Sequence, residues 1–134
     1  MKYLFVFLLV GLMASCGEDA SGDAAKTKET KTDKYSTVKI GNLEIMTEDL
    51  GEEMAWMEAK KACADLGDGW RLPTKVELNI LYENKDEIGG FAIYGYWSST
   101  ETSYGNAWEQ RFGYGSQSSN SKDGYHYVRA VRAF

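Results

Sequence analysis

Apolar residues are spread unevenly along the chain. A short apolar run fills residues 3–14, and no large apolar residue follows from 17 to 34. Patterned positions begin only after Tyr35. Val38 and Ile40, then Leu43 and Ile45, alternate with polar residues around Gly41-Asn42, which predicts two short strands and a tight turn. Ala55, Ala59, Ala62, Cys63 and Leu66 then fall on one helical face, with Trp56 at its border and Lys60 and Lys61 off it. That spacing predicts an amphipathic helix over 52–66, ended by Gly67. Thr74 opens a second helix, with Glu77 at the spacing of a capping box. Leu78, Leu81 and Tyr82 form its apolar stripe, widened by Val76 and Ile80, and Gly89-Gly90 stops the helix or its short extension. The last third reads as strands at 96–100, 106–112 and 125–134. In the second of these, Trp108 and Phe112 share one face, and Glu109 and Arg111 the other. Residues 113–124 between the last two strands are polar and bounded by glycine, and are expected to form a loop.

The apolar run at 3–14 follows Lys2 and is 12 residues long, too short for a membrane-spanning helix, which needs about 20. A basic start, a short apolar core and small residues at its end read as a secretory signal over 1–15. Leu12-Met13-Ala14-Ser15-Cys16 resembles the bacterial lipobox, with Met13 where Leu is commonest. The resemblance implies cleavage before Cys16 and fatty acylation of that residue, and several acyl chains together hold a protein stably on a membrane. Gly17-Glu18-Asp19 resembles the surface-export signal of lipoproteins in the Bacteroidetes-type outer membrane. The expected address is therefore the outer membrane, on the cell surface, with the periplasmic face as the alternative. Residues 16–34 are expected to be the lipidated Cys and a disordered tether, since nothing there can offset chain entropy by burial.

Residues 35–134 are left as one domain, enough for a modest core. Overall composition, 43% hydrophobic and 26% charged, is that of a folded domain and excludes wholesale disorder. The net charge of -5 argues against a broad basic nucleic-acid-binding face. One His and two Cys leave few ligands for a transition metal, and no metal or other cofactor is expected.

Five blocks occur in order: Gly69-Trp70-Arg71-Leu72-Pro73-Thr74 with Glu77-Leu78, then Tyr96-Trp97-Ser98-Ser99-Thr100-Glu101, then Ala107-Trp108, and last Val128-Arg129-Ala130-Val131-Arg132, all preceded by Ile40-Gly41-Asn42 and Glu48-Asp49-Leu50. Together they resemble the Lcl C-terminal-like family and its relative, the Fibrobacter succinogenes major paralogous domain, over residues 38–134. The resemblance implies an α+β, C-type-lectin-like fold: two helices packed on a small, mostly antiparallel sheet with long loops. It also implies a place on bacterial surfaces or in the periplasm, with binding of glycans or proteins as the usual proposal.

Single residues sharpen this picture. Trp70, Trp97 and Trp108 are expected in the core, where aromatic rings bury most area. Arg71 is expected to hold a carboxylate or carbonyls with its planar fork. Ser98 and Ser99 lack a Gly-x-Ser-x-Gly elbow, and His126 is the only imidazole that could serve them, so no catalytic residue is expected. Cys63, without a partner in the lipidated chain, is expected to be a buried small hydrophobe. Formylglycine-generating enzymes resemble this fold but use a pair of cysteines, which the mature domain lacks. Asp123, Asn120 and Glu109 could offer oxygen atoms to calcium, yet they match no EF-hand loop and no lectin Trp-Asn-Asp pattern.

The remaining signal is compositional. Tyr94, Tyr96, Tyr104, Tyr114, Tyr125 and Tyr127 lie in or beside segments rich in Gly, Ser and Asn, a mixture that binding loops use. Tyr94, Tyr114, Ser118, Asn120 and Tyr125 are the candidate ligand-binding residues, with Tyr114 and Tyr125 expected at one end of the sheet. The expected function is a non-enzymatic, lipid-anchored recognition domain that binds a glycan or an envelope protein. The alternative is a structural or assembly lipoprotein that contacts another envelope protein.

Overall fold

A computed structural model describes residues 34–134, so the signal, Cys16 and the tether expectation lie outside the described residues. Strands β1 (Thr37–Ile40) and β2 (Leu43–Met46) form the expected hairpin. Gly41, at φ 59°, is the first of its two turn residues, the position where a hairpin twist wants glycine. Strand β6 (Val131–Ala133) pairs with the other side of β2, and all three strands are antiparallel in the order β1-β2-β6.

Helix α1 (Trp56–Asp65) begins four residues later than the spacing predicted. The amide and carbonyl of Met54 pair with His126 at 3.0 and 3.2 Å, which draws residues 52–55 out of the helix. Glu58 then reaches back to the Ala55 amide at 3.3 Å. The turn 66–69 leads to Trp70, which is 5% exposed, and to Arg71, whose fork grips the Glu77 carboxylate at 2.7 and 3.1 Å. Helix α2 (Lys75–Glu83) carries the predicted capping box: the Glu77 amide donates to Thr74 Oγ1 at 3.1 Å, and the Thr74 amide to Glu77 Oε1 at 2.9 Å. A short third helix, α3 (Lys85–Ile88), follows and ends at Gly89.

A second antiparallel sheet holds β3 (Gly95–Ser103), β4 (Asn106–Arg111) and β5 (Gln117–Ser121) in that order. Two findings correct the sequence reading here. The expected loop 113–124 contains β5, which pairs along its whole length with β4, from Asn106↔Ser121 to Gln110↔Gln117. Its side chains are polar because the strand lies at an edge, and β4 supplies the pairing that no apolar alternation announces. The expected strand 125–134 is a strand only at its end. Before that it changes partner, bridging Met54 through His126 and β3 through Tyr127.

The core joins both sheets to α2. Leu43, Ile45 and Val131 meet Leu78, Leu81, Ile88, Tyr96 and Phe112. Trp97, wholly buried, donates its indole N–H to the Met54 carbonyl at 2.9 Å, and Trp56 donates to Ser98 O at 2.8 Å. Trp108 departs from expectation. It is half-buried, and the Lys75 ammonium lies 3.6 Å from its ring centroid where a core ring would have apolar neighbours. Cys63 is fully buried as expected, and burial pushes its thiol up to about 12.

Arg129 ties the last segment to the rest. Fully buried, it binds Asp49 at 2.8 and 3.1 Å and the carbonyls of Met46, Gly89 and Gly90 at 2.7–3.0 Å. A Cβ on Gly90 would stand 2.5 Å from Thr47 O, so the close approach of this corner requires glycine.

Candidate functional site

The candidate site lies at the end of the second sheet where β3 begins and β4 ends. The ladder continues beyond both strands: Phe112 N–H donates to Tyr94 O at 3.0 Å and Gly113 N–H to Ile93 O at 2.9 Å. These bonds fix the 91–94 segment against the turn 112–116, yet leave Ile93 and Tyr94 64% and 54% exposed. From the other side, Tyr127 N–H donates to Gly95 O at 2.9 Å and Trp97 N–H to Tyr127 O at 3.0 Å. The Tyr127 ring is thereby laid against Tyr94, with centroids 6.3 Å apart and planes 16° from parallel. Beneath them the rings of Tyr96, Phe91 and Phe112 pack at 4.4–5.3 Å, and Tyr96 meets Tyr127 at 5.5 Å. A cleft of about 260 Å³ opens beside Ile93, between the Gly89-Gly90 corner, Phe91 and Phe112.

The sequence candidates divide. Tyr94 is part of this face. Tyr114 stands one residue beyond Gly113, in the turn that joins β4 to β5, and is exposed. Tyr125 is also exposed, but β5 stands between it and Tyr114 in the chain. Ser118 and Asn120 belong to β5 rather than to a free loop. Ser118 is exposed, whereas Asn120 is half-buried and donates Nδ2 to Glu109 Oε2 at 3.0 Å. Tyr96 is core: its hydroxyl donates to Asp49 at 2.8 Å and accepts from the Ala92 amide at 2.8 Å, and burial holds its pKa well above the ordinary range. Tyr127, half-buried against the core, completes the pair with exposed Tyr94. Its ring cannot be assigned to Tyr94 from spacing, because the two lie 33 positions apart and are brought together by the tertiary bridge of Tyr127 to Tyr96.

Two further groups bear on chemistry. Ser98 is buried, donates to Trp108 O at 2.8 Å and accepts from the Thr100 amide at 3.1 Å, with no bond to His126. Glu109, assigned by alternation to a polar face, is 1% exposed. Its Oε2 takes the Asn120 bond, while Oε1 has no hydrogen-bond partner. A Cβ on Gly95 would collide with Oε1 and with His126 Nδ1, so glycine there makes room for both. Burial raises the Glu109 pKa, against the pull of Arg111 and Asn120. Burial lowers that of His126, assisted by Arg111. Among the described residues no three His, Cys, Asp or Glu side chains converge as metal ligands.

Three helices, the third a single short turn, and two small antiparallel sheets, one of them completed by β6, define a C-type-lectin-like domain. Solved structures agree. The crystal structure of botrocetin superposes with a TM-score of 0.57 at 9% identity, covering 73% of this chain and 96% of that one. Botrocetin in complex with a mutant von Willebrand factor A1 domain also matches, with a TM-score of 0.54, 9% identity and the same coverage. The family model of the Lcl C-terminal domain matches residues 24–132, and the chain belongs to that family. No curated protein sequence matches the chain.

Proposed function

We propose that this is a non-enzymatic recognition domain, held on the outer membrane by lipidated Cys16, that binds a protein or glycan ligand through the face formed by Tyr94, Tyr127, Ile93 and Tyr114. The observation that carries the reading is the exposure of this aromatic group on a rigid base. Two backbone bonds and a buried layer of rings support Ile93, Tyr94 and Tyr114, which remain open to solvent, and half-buried Tyr127 backs Tyr94. Tyrosines held in this way offer contact area at low entropic cost. The botrocetin complex supports a protein ligand, since the same fold there meets another protein. An assembly role has one observation in its favour: a hollow of about 470 Å³ between the first sheet and α2, lined by Ile40, Leu43, Ile80 and Ala133 with the Arg71–Glu77 pair.

The test uses the full-length protein in detergent, immobilised and offered envelope proteins and a glycan array. Retention of a ligand is expected, with loss in a Tyr94→Ala, Tyr114→Ala double variant. Both sites are exposed, so each change should shift stability by no more than about 0.5 kcal/mol. Undiminished retention by the double variant at an unchanged unfolding midpoint would remove the site.

A further inference from the structure

Many rings in this domain carry a cation of their own. Lys39 Nζ lies 4.3 Å from the Phe134 centroid, Lys75 3.6 Å from Trp108 and Lys85 4.8 Å from Tyr82. Lys60 and Lys122 lie 4.6 and 4.3 Å from Trp56. The Arg129 guanidinium covers Phe91 at 3.9 Å, and that of Arg132 covers Trp70 at 4.6 Å. Among the described residues, the Tyr94–Tyr127 pair carries none. Leu50 N–H donates to Val128 O at 2.9 Å and Met54 pairs with His126, so Glu52 and Glu53 lie on the segment that runs past Tyr127. The Tyr127 hydroxyl is held above its ordinary pKa first by loss of solvent and then by Glu53, Asp49, Tyr94 and Glu52. Asp49 is balanced by Arg129 at 2.8 Å, whereas Glu52 and Glu53 are exposed and enter no ion pair among the described residues.

We propose that the Tyr94–Tyr127 face receives a lysine or arginine side chain from a protein partner. The inference rests on the recognition reading and names the chemistry of its ligand. Stacked rings attract a cation through their negative faces, and nearby carboxylates add to the attraction. The same carboxylates, with the net charge of -5, oppose an anionic ligand. Exposed Ile93, with the Phe91 and Phe112 wall of the cleft beside it, receives apolar neighbours of the cation, while Lys85 and Asp86 make the rest of the cleft polar.

The test measures anisotropy of a labelled oligolysine, an oligoglutamate of equal length and a neutral oligosaccharide against the full-length protein in detergent. Oligolysine alone should bind. Tyr94→Ala should weaken it by about threefold to thirtyfold, and Tyr94→Phe, which keeps the ring, should not. The Glu52→Gln, Glu53→Gln double variant should also weaken it and flatten its dependence on salt. Glu83→Gln on α2 is the control and should change nothing. Binding insensitive to Tyr94→Ala, or lost equally in the Glu83 control, overturns the inference, as does a neutral sugar that binds with Glu52 and Glu53 indifferent. If an envelope ligand is still lost on Tyr94→Ala while oligolysine is not, the recognition reading stands and only the cationic inference falls. If Tyr94→Ala affects no ligand at all, both fall.

Discussion

At the scale of single residues, burial separates the tyrosines and tryptophans that hold the fold from those that can meet a ligand. Trp97 is wholly buried with its N–H satisfied, so Trp97→Ala should cost roughly 3–5 kcal/mol. Against the roughly 5–15 kcal/mol typical of a domain this size, that leaves it marginal or unfolded. A urea midpoint equal to wild type would contradict the burial. Glu109 gives a second case, with the sign set by its raised pKa. The folded state holds the proton more tightly than the unfolded chain. The cost of the buried charge is therefore fully present above the folded pKa, and it disappears as pH falls through that value toward 4.5. Glu109→Gln should stabilise the domain at pH near 7, with the gain shrinking on acidification. His126, whose pKa is lowered, acts oppositely, costing stability as pH falls below 6.5. The quantity to measure is therefore the difference between variant and wild-type midpoints across pH, and a constant difference would refute a charged Glu109 at neutrality.

Among the elements, local signals were legible and borrowed ones were not. The α2 cap is legible because Thr74 and Glu77 are three residues apart and act on each other's amides. Thr74→Ala should accordingly cost about 1 kcal/mol, read as a lowered thermal midpoint with native circular dichroism. The Gly41-Asn42 hairpin is legible for the same reason, since its turn residues sit between the strands they join. Strand β5 is not, because Gln117-Ser118-Ser119-Asn120-Ser121 has no apolar face and becomes a strand only against β4. The buried side of β4 was misread because alternation says which residues share a face, not which face is covered. Glu109 is enclosed by Gly95, His126 and Asn120, which come from three other segments. The site was legible in part: composition pointed to Tyr94 and Tyr114, whereas the partnership of Tyr94 with Tyr127 arises only from folding.

For the whole molecule, the anchor is the part that the domain does not test. Cys16→Ser should abolish fatty-acid labelling and move the protein from the membrane fraction to the soluble one. Continued labelling would exclude Cys16 as the acylated residue. Within the domain, one feature has its effect in time. Strand β6 is the last of the described strands in chain order, yet it completes the first sheet by pairing with β2, and Arg132 holds Glu44 across 88 residues of chain. Arg129 likewise reaches Asp49 across 80. Until these residues emerge, β2 lacks one neighbour and the Gly89-Gly90 corner lacks its guanidinium. Long-range closure of this kind is slow, because loop entropy is lost before the contacts repay it. A chain ending at Ala130 should therefore show no cooperative unfolding transition. A copy that lacks β6 therefore stays open on that side of β2, and the domain closes only once this strand has been made.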